Sequence, residues 1–375
     1  MSRASRLLAF TARDPSNPVL LCDLLDELLG EGRVDEALAR LRATADNVRA
    51  LPAVKFREAR CALMNGDFAA VTELLQPLAS AAEVPAGIVH DLAYAHLSLG
   101  HFEEAMRALD NARPEGVDAI SIALLKVRIF HHQGQYAAAL ALLETVAGGP
   151  RLAEAFGLRA MLLFDSGDTA QASAVAARAL DIDPSQYEAA IVAGTIALWE
   201  RRLDASQALF DGVLAMDPHS GRALLGIGQN RMLRADMPAA RAALERATAA
   251  MPGHIGSWHA LAWCQLLEGD LAGAADSFGR AFAIDRTFGE THGGMALVHA
   301  LRGDRLAAEE SIKRATRLDA NGLSARYARS VLLLDEGRKE EAQAIVDDIL
   351  KSPGHAVAVP ADFIFRLREI VRPRD

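Results

Sequence analysis

Residues 257–270 read SWHALAWCQLLEGD, in which Trp258, Leu261, Ala262 and Gln265 recur at helical spacing and Gly269 follows as a stop. Steps of three and four residues place side chains on one face of an α-helix, and a glycine suits the left-handed turn that ends one. The chain goes on with LAGAADSFGRAFAIDR, 271–286, where Ala274, Phe278 and Ala281 keep the same spacing. The stretch therefore reads as helix, glycine turn, helix. Thirty-four residues earlier lies MPAARAALERATAAMP, 237–252, with Ala240, Leu244, Ala247 and Pro252 in the corresponding places. A second step back meets DASQALFDGVLAMDP, 204–218, with Ser206, Phe210, Val213 and Pro218.

The register holds along the chain. The turn position is Gly32, Gly66, Gly100, Gly134, Gly167, Arg201, Ala235, Gly269, Gly303 and Gly337, every step being 34 except the 33 from Gly134 to Gly167. Five residues past each turn stands a small or modest residue: Ala37, Val71, Ala105, Ala139, Ala172, Ser206, Ala240, Ala274, Ala308 and Ala342. Helices approach closely only where side chains are small, so this column marks a repeated helix crossing. Four residues further come Leu41, Leu75, Leu109, Leu143, Ala176, Phe210, Leu244, Phe278, Ile312 and Val346. One such unit cannot bury its apolar face alone, and neighbours must stack. Asp-Pro or a variant closes units, as at Asp183-Pro184 and Asp217-Pro218.

Composition narrows the class. The chain has 375 residues, 51% of them hydrophobic, and a net charge of -9, the wrong balance for a protein whose main partner is a phosphate backbone, so no nucleic acid is expected. Only five of the 40 basic residues are Lys, which points to a GC-rich, bacterial genome. The apolar run Leu7 to Phe10 is too short for a signal-peptide core and no run approaches a membrane span, so the expectation is a cytoplasmic protein with no membrane insertion. Cys22, Cys61 and Cys264 are far apart, without a CxxC, and read as buried free thiols.

With Trp258, Leu261, Ala262, Gly269, Ala274, Phe278 and Ala281 in place, the sequence resembles the tetratricopeptide repeat family over roughly Pro18 to Pro353; the family's terminal Pro is replaced by Arg286. The resemblance implies an all-α fold, a right-handed superhelical α-solenoid of about ten helix-turn-helix repeats. Lys126, Arg159 and Arg329 depart from the pattern by placing a charge where a Leu belongs, and Glu58 is a further departure. The domain reading is an N-terminal capping segment over 1–17, four more divergent repeats over 18–150, six regular ones over 151–353, and a C-terminal capping helix and tail over 354–375. Gly148, Gly149 and Pro150 coincide with the 33-residue step and mark a candidate joint, while Pro77 should shorten the second helix of its unit.

No catalytic, cofactor or metal site is expected. His131 and His132 are adjacent and cannot share a helical face; His292 and His299 do share one but fall in packing columns, with no HExxH. The GxG of GIGQN, from Gly226, sits inside a helix rather than after a strand, which argues against a phosphate cradle. No GxSxG or Walker loop is present.

In the tetratricopeptide family the first helix of each pair lines a concave groove that holds peptide or protein ligands. Carried over, that surface comprises Glu188, Ile191 and Thr195, then Arg222, Leu225, Gln229 and Met232, then His259, Trp263 and Leu266, then Glu290 and Leu297. Trp258 takes the core position of its helix, which puts Trp263 off the core stripe as a candidate hot spot, unless it packs on the neighbouring first helix. The family's two-carboxylate clamp is not matched, for this surface offers no Lys and no Asn pair. The expected function is a non-enzymatic scaffold or adaptor that binds a peptide or partner protein in the groove. The alternatives are a self-associating, homo-oligomeric assembly module of a secretion, pilus or envelope complex, and an enzyme or enzyme regulatory subunit.

Overall fold

All ten turn residues singled out by the repeat step have positive φ, from 60° at Ala235 to 93° at Gly167. At Gly269 the geometry is a left-handed helix stop: the Gly269 amide donates to the Leu266 carbonyl (3.0 Å) and the Asp270 amide to that of Gln265 (2.8 Å). The next residue opens the second helix at once, because the Asp270 carboxylate accepts from the Gly273 amide (2.8 Å). Asp67, Asp168, Asp236 and Asp304 cap their helices in the same way. At the far end of the pair, Asp183, Asp217, Asp285 and Asp319 accept from the amide two residues on, making Asx turns into the next unit. Hydrogen bonds from the Ser185 and Thr287 hydroxyls and amides hold the Asp183 and Asp285 carboxyls below the usual range.

The computed structural model describes residues 2–80, 84–110, 119–146 and 151–351, with side chains to residue 349. These residues form 22 α-helices and no strand, and they divide into two compact units, Met1–Ser166 and Gly167–Asp375. The candidate joint at residues 148–150 and the capping helix expected over 354–375 lie outside the described residues.

In the first unit α1 (Arg3–Arg13) packs on α2 (Pro18–Gly30), which pairs with α3 (Val34–Arg42). After a short α4 (Asp46–Arg49) come α5 (Pro52–Met64) with α6 (Phe68–Leu75), α7 (Ala86–Ser98) with α8 (Phe102–Asp110), α9 (Ala119–His132) with α10 (Tyr136–Glu144), and α11 (Leu152–Asp165). Helix α6 stops two residues before Pro77, the shortening that proline imposes.

The second unit begins with α12 (Thr169–Ile182). Then come the pairs α13 (Tyr187–Trp199) with α14 (Leu203–Met216), α15 (Gly221–Leu233) with α16 (Met237–Ala250), and α17 (Ile255–Leu267) with α18 (Leu271–Ile284). It ends with α19 (Gly289–Arg302) and α20 (Arg305–Leu318), then α21 (Leu323–Asp335) and α22 (Lys339–Lys351). Each unit is thus a stack of antiparallel helix pairs, an α-solenoid.

Burial follows the sequence columns closely. Every residue of the small column is at most 1% exposed and every residue of the large column at most 9%. Each fully buried Leu or Phe contributes roughly 1.5–3 kcal/mol. The rings of Phe210 and Phe278 are accommodated by glycines on neighbouring helices: a β-carbon at Gly226 would lie 2.2 Å from Phe210, and one at Gly294 2.3 Å from Phe278. Gly228 does the same for Leu244, at 2.5 Å. The Gly-x-Gly of GIGQN is therefore a packing device on α15.

The charges that break the leucine column are neutralised nearby in the first unit. Lys126 pairs with Asp110 (2.5 Å), Arg159 with Glu144 (3.3 Å), and Glu58 with Arg49.

Two expectations follow. Arg201 and Ala235 hold left-handed backbone without glycine, a conformation that costs an L-residue about 1–2 kcal/mol. Ala235→Gly should stabilise the chain by about 0.5–1 kcal/mol once the greater freedom of an unfolded glycine is subtracted; urea denaturation measures it, and a lower midpoint would contradict the strain. Gly226→Ala, although a better helix former, should destabilise by about 1–3 kcal/mol through overpacking against Phe210, and a variant as stable as wild type would show that the ring can move aside.

Candidate functional site

The first helices of the second unit carry the residues picked out for partner binding, and packing divides them into two sets. Glu188, Ile191, Met232, Leu266 and Leu297 are buried. Glu188 receives a hydrogen bond from the Gln186 side chain, while Gln186 itself caps α13 at the Ala189 amide. Glu290 is half-buried and committed: its carboxylate accepts from the Leu323 amide and from that of Ser324 (3.2 Å), so a side chain of α19 caps α21. These residues hold helices together, which spacing alone does not separate from a groove surface.

Thr195, Arg222, Leu225, Gln229, His259 and Trp263 remain half-exposed. Thr195 bonds to its own helix at the Ile191 carbonyl (2.8 Å). Arg222, Leu225 and Gln229 share one face of α15, and Leu225 and Trp263 border the same buried cluster, which includes Met232, Leu244, Leu261 and Cys264. Trp263 also borders the cluster around Phe278 and Tyr327, and its ring meets Tyr327 edge-on at 5.8 Å and 70°. Tyr327 is buried, and desolvation pushes its hydroxyl pKa up to about 12.

Glycine also shapes the packing beside Tyr327. A β-carbon at Gly293 of α19 would lie 2.7 Å from the Ala325 amide nitrogen of α21, so the two backbones touch. Trp263 is thus partly packing and partly surface.

Trp258, expected as the core residue of its helix, is only half-buried, because its indole N–H turns outward to the Pro252 carbonyl (2.9 Å). His259 lies edge-on to Phe278 (5.4 Å) and against Phe288 (5.5 Å), with Nε2 2.8 Å from the Thr291 hydroxyl. Burial pulls its pKa down to about 4. Sequence spacing did not reveal Thr291, Phe288 and Tyr327 as its neighbours and those of Trp263, since each comes from another repeat.

Three further histidines make structural contacts. His131 Nε2 lies 2.6 Å from Asp165 and the His132 ring stacks on Phe102 (5.8 Å, 20°), so the adjacent pair serves two different contacts. His292 Nε2 donates to the Arg286 carbonyl at 2.9 Å. Among the described residues no group of three or more His, Cys, Asp or Glu is placed to hold a metal ion, and no helix is long and apolar enough to cross a membrane. All three cysteines are buried free thiols, with burial raising the pKa to about 11 at Cys61 and about 12 at Cys264.

Sequence models of the tetratricopeptide repeat match residues 90–153 and 158–220, 197–264, and 323–348, together more than half of the chain. The chain belongs to the tetratricopeptide repeat family. No curated protein sequence matches it. Among solved structures it is similar to a chain of the APC/C hetero-tetramer Cut9–Hcn1, at 13% identity and a TM-score of 0.51, over 99% of this chain and 83% of that one. It is also similar to PilW, a widely conserved type IV pilus biogenesis factor, at 21% identity and a TM-score of 0.45 over 56% of this chain and 97% of that one. A third likeness is to Pseudomonas aeruginosa pilF, at 18% identity and a TM-score of 0.42 over 54% and 92%. At 13% identity the first likeness speaks to the fold alone. Tetratricopeptide repeats are in general modules of protein–protein interaction.

The His259 environment has a pH consequence. Its folded pKa of about 4 lies below the unfolded value of about 6.5, so the unfolded chain binds the extra proton between those limits. Its contribution to stability is complete above about pH 6.5 and is lost as pH falls toward 4, by at most about 3 kcal/mol. Urea midpoints from pH 7 to pH 4 should fall more steeply for wild type than for His259→Gln, which cannot titrate; equal slopes would remove His259 from the account.

Proposed function

We propose that the chain is a non-enzymatic adaptor that holds a peptide or a segment of a partner protein on the first-helix surface of its second unit. The observation that carries the reading is the half-exposed group Arg222, Leu225, Gln229 and Trp263 on the adjacent helices α15 and α17. Trp263 is held edge-on against Tyr327 and is only half-buried, so a large aromatic is already positioned and a ligand gains contact area at little conformational cost. Arg222 and Gln229 supply polar contacts about one turn to either side of Leu225. The mixture suits an amphipathic helix or an extended segment with apolar anchors.

A second reading, self-association, is favoured by one feature of the same unit. Ile182, Met216, Ile284 and Leu318, each the last residue of a second helix, are all at least 40% exposed and recur on the 34-residue register. Light scattering after size exclusion distinguishes the two: a monomer supports the adaptor reading, and a dimer dispersed by Met216→Asp supports self-association.

The adaptor reading rests on Trp263. Once a partner has been recovered by cross-linking from the native cell, Trp263→Ala should weaken its binding by about 2 kcal/mol or more, measured by calorimetry. The same variant should cost the fold less than the roughly 3–5 kcal/mol of a core aromatic. Trp258→Ala should lower stability and leave the affinity as it is. Unchanged affinity in Trp263→Ala would move the binding surface elsewhere.

A further inference from the structure

The leucine column, eight residues before each turn, holds charges at Lys126, Arg159 and Arg329. Facing it is the residue ten places after the preceding turn: Asp110 after Gly100 and Glu144 after Gly134. Those two carboxylates pair with Lys126 and Arg159. After Gly303 the same place is taken by Lys313, so Arg329 faces a second cation where its counterparts face an acid.

Lys313 on α20 and Arg329 on α21 both line a cleft of about 250 Å³, with Ile312, Leu332 and Leu333 as its apolar part. The nearby carboxylates are already engaged. Glu309 is bonded to Arg305 (2.8 Å), Glu336 to Arg305 and to Arg338 (2.9 Å), and Glu341 to Arg338 through two bonds of 2.6 Å. Glu341 influences Arg329 only as a weaker, secondary charge. Among the described residues neither Lys313 nor Arg329 makes an ion pair or a side-chain hydrogen bond. With four cations against three carboxylates, the cleft and its rim keep a net positive charge, on a chain whose net charge is -9.

We propose that this cleft is a second binding site, for the carboxylate of an acidic segment on a partner protein. A bound carboxylate takes the place that Asp110 and Glu144 fill in the equivalent positions. The guanidinium of Arg329 can give a carboxylate two parallel hydrogen bonds while Lys313 adds a point charge. The volume is below the roughly 300–1,000 Å³ of pockets for drug-sized ligands and suits one or two acidic side chains. The site lies between the second helix of one pair and the first helix of the next, apart from the α15–α17 surface, and its test does not depend on that surface.

The test is fluorescence anisotropy of a fluorescein-labelled hexaglutamate peptide titrated with the full chain at low salt. Saturable binding that weakens as sodium chloride is added is the expected result. Lys313→Glu supplies the counter-charge that Asp110 gives Lys126, and Arg329→Leu restores the family's apolar residue. Both variants should keep the wild-type melting temperature or raise it, and both should lower affinity by about tenfold or more. Arg159→Leu, at a position already neutralised by Glu144, should bind as wild type does. No binding by the wild-type chain, equal binding by Lys313→Glu, or an equal loss in Arg159→Leu would overturn the proposal. So would binding of inorganic phosphate without binding of the peptide, which would assign the cleft to free oxyanions.

Discussion

Two helices joined by only two or three residues fold back on each other here because one of those residues takes a left-handed backbone and the next leads straight into a helix. The whole repeat hangs on that constraint. The left-handed residue satisfies the last carbonyls of the first helix, as Gly269 and Asp270 do at Leu266 and Gln265. The aspartate that follows caps the second helix within one residue. Because the connection has no slack, the phase of the second helix relative to the first is set, and Ala274 and Phe278 are delivered to the crossing. Arg201 and Ala235 show how strongly the geometry is demanded, since they adopt it without glycine.

Once the phase is set, volume becomes a matter for facing pairs rather than single positions. Phe210 and Phe278 exceed the aliphatic residues that fill their column elsewhere, and the excess is absorbed by Gly226 and Gly294 on the helix of the next repeat. Dense interiors tolerate little mismatch, so a large ring in one helix and a missing side chain in the next form a unit. Close backbone approach at Gly293 then brings α19 against α21. On the same helix α21, Tyr327 meets the Trp263 ring edge-on, so a buried core residue borders the surface proposed for a partner.

Periodicity made the helices, the turns and the two buried columns legible, because each depends on residues close in sequence or one repeat away. The candidate site was less so. Glu188 and Glu290 sit where the family exposes groove residues, yet one is buried beside Gln186 and the other caps α21. A carboxylate on a helix face reads the same whether it meets solvent or a neighbour's amides. Trp258 and Trp263 illustrate the same gap: five residues apart on one helix, they differ in what their rings reach, Pro252 in one case and Tyr327 in the other. Direction of that kind is decided by three-dimensional neighbours, and no spacing rule contains it.

The charged residues in the leucine column show how a repeat tolerates variation. A lone charge at a helix–helix seam would be costly to desolvate, but the long stems of Lys126 and Arg159 carry their charges to the edge of the seam. There the last acid of the preceding helix is waiting. Exposed pairs of this sort add little stability, about 0–1 kcal/mol, so their role is to permit the substitution rather than to hold the fold. Nothing in the packing then requires the compensating acid to be kept. The fold survives Lys313 opposite Arg329 because both heads reach water, and the position is left open to take its counter-charge from another molecule. A seam that is structurally indifferent to its charge partner is where a repeat can acquire recognition without disturbing the stack.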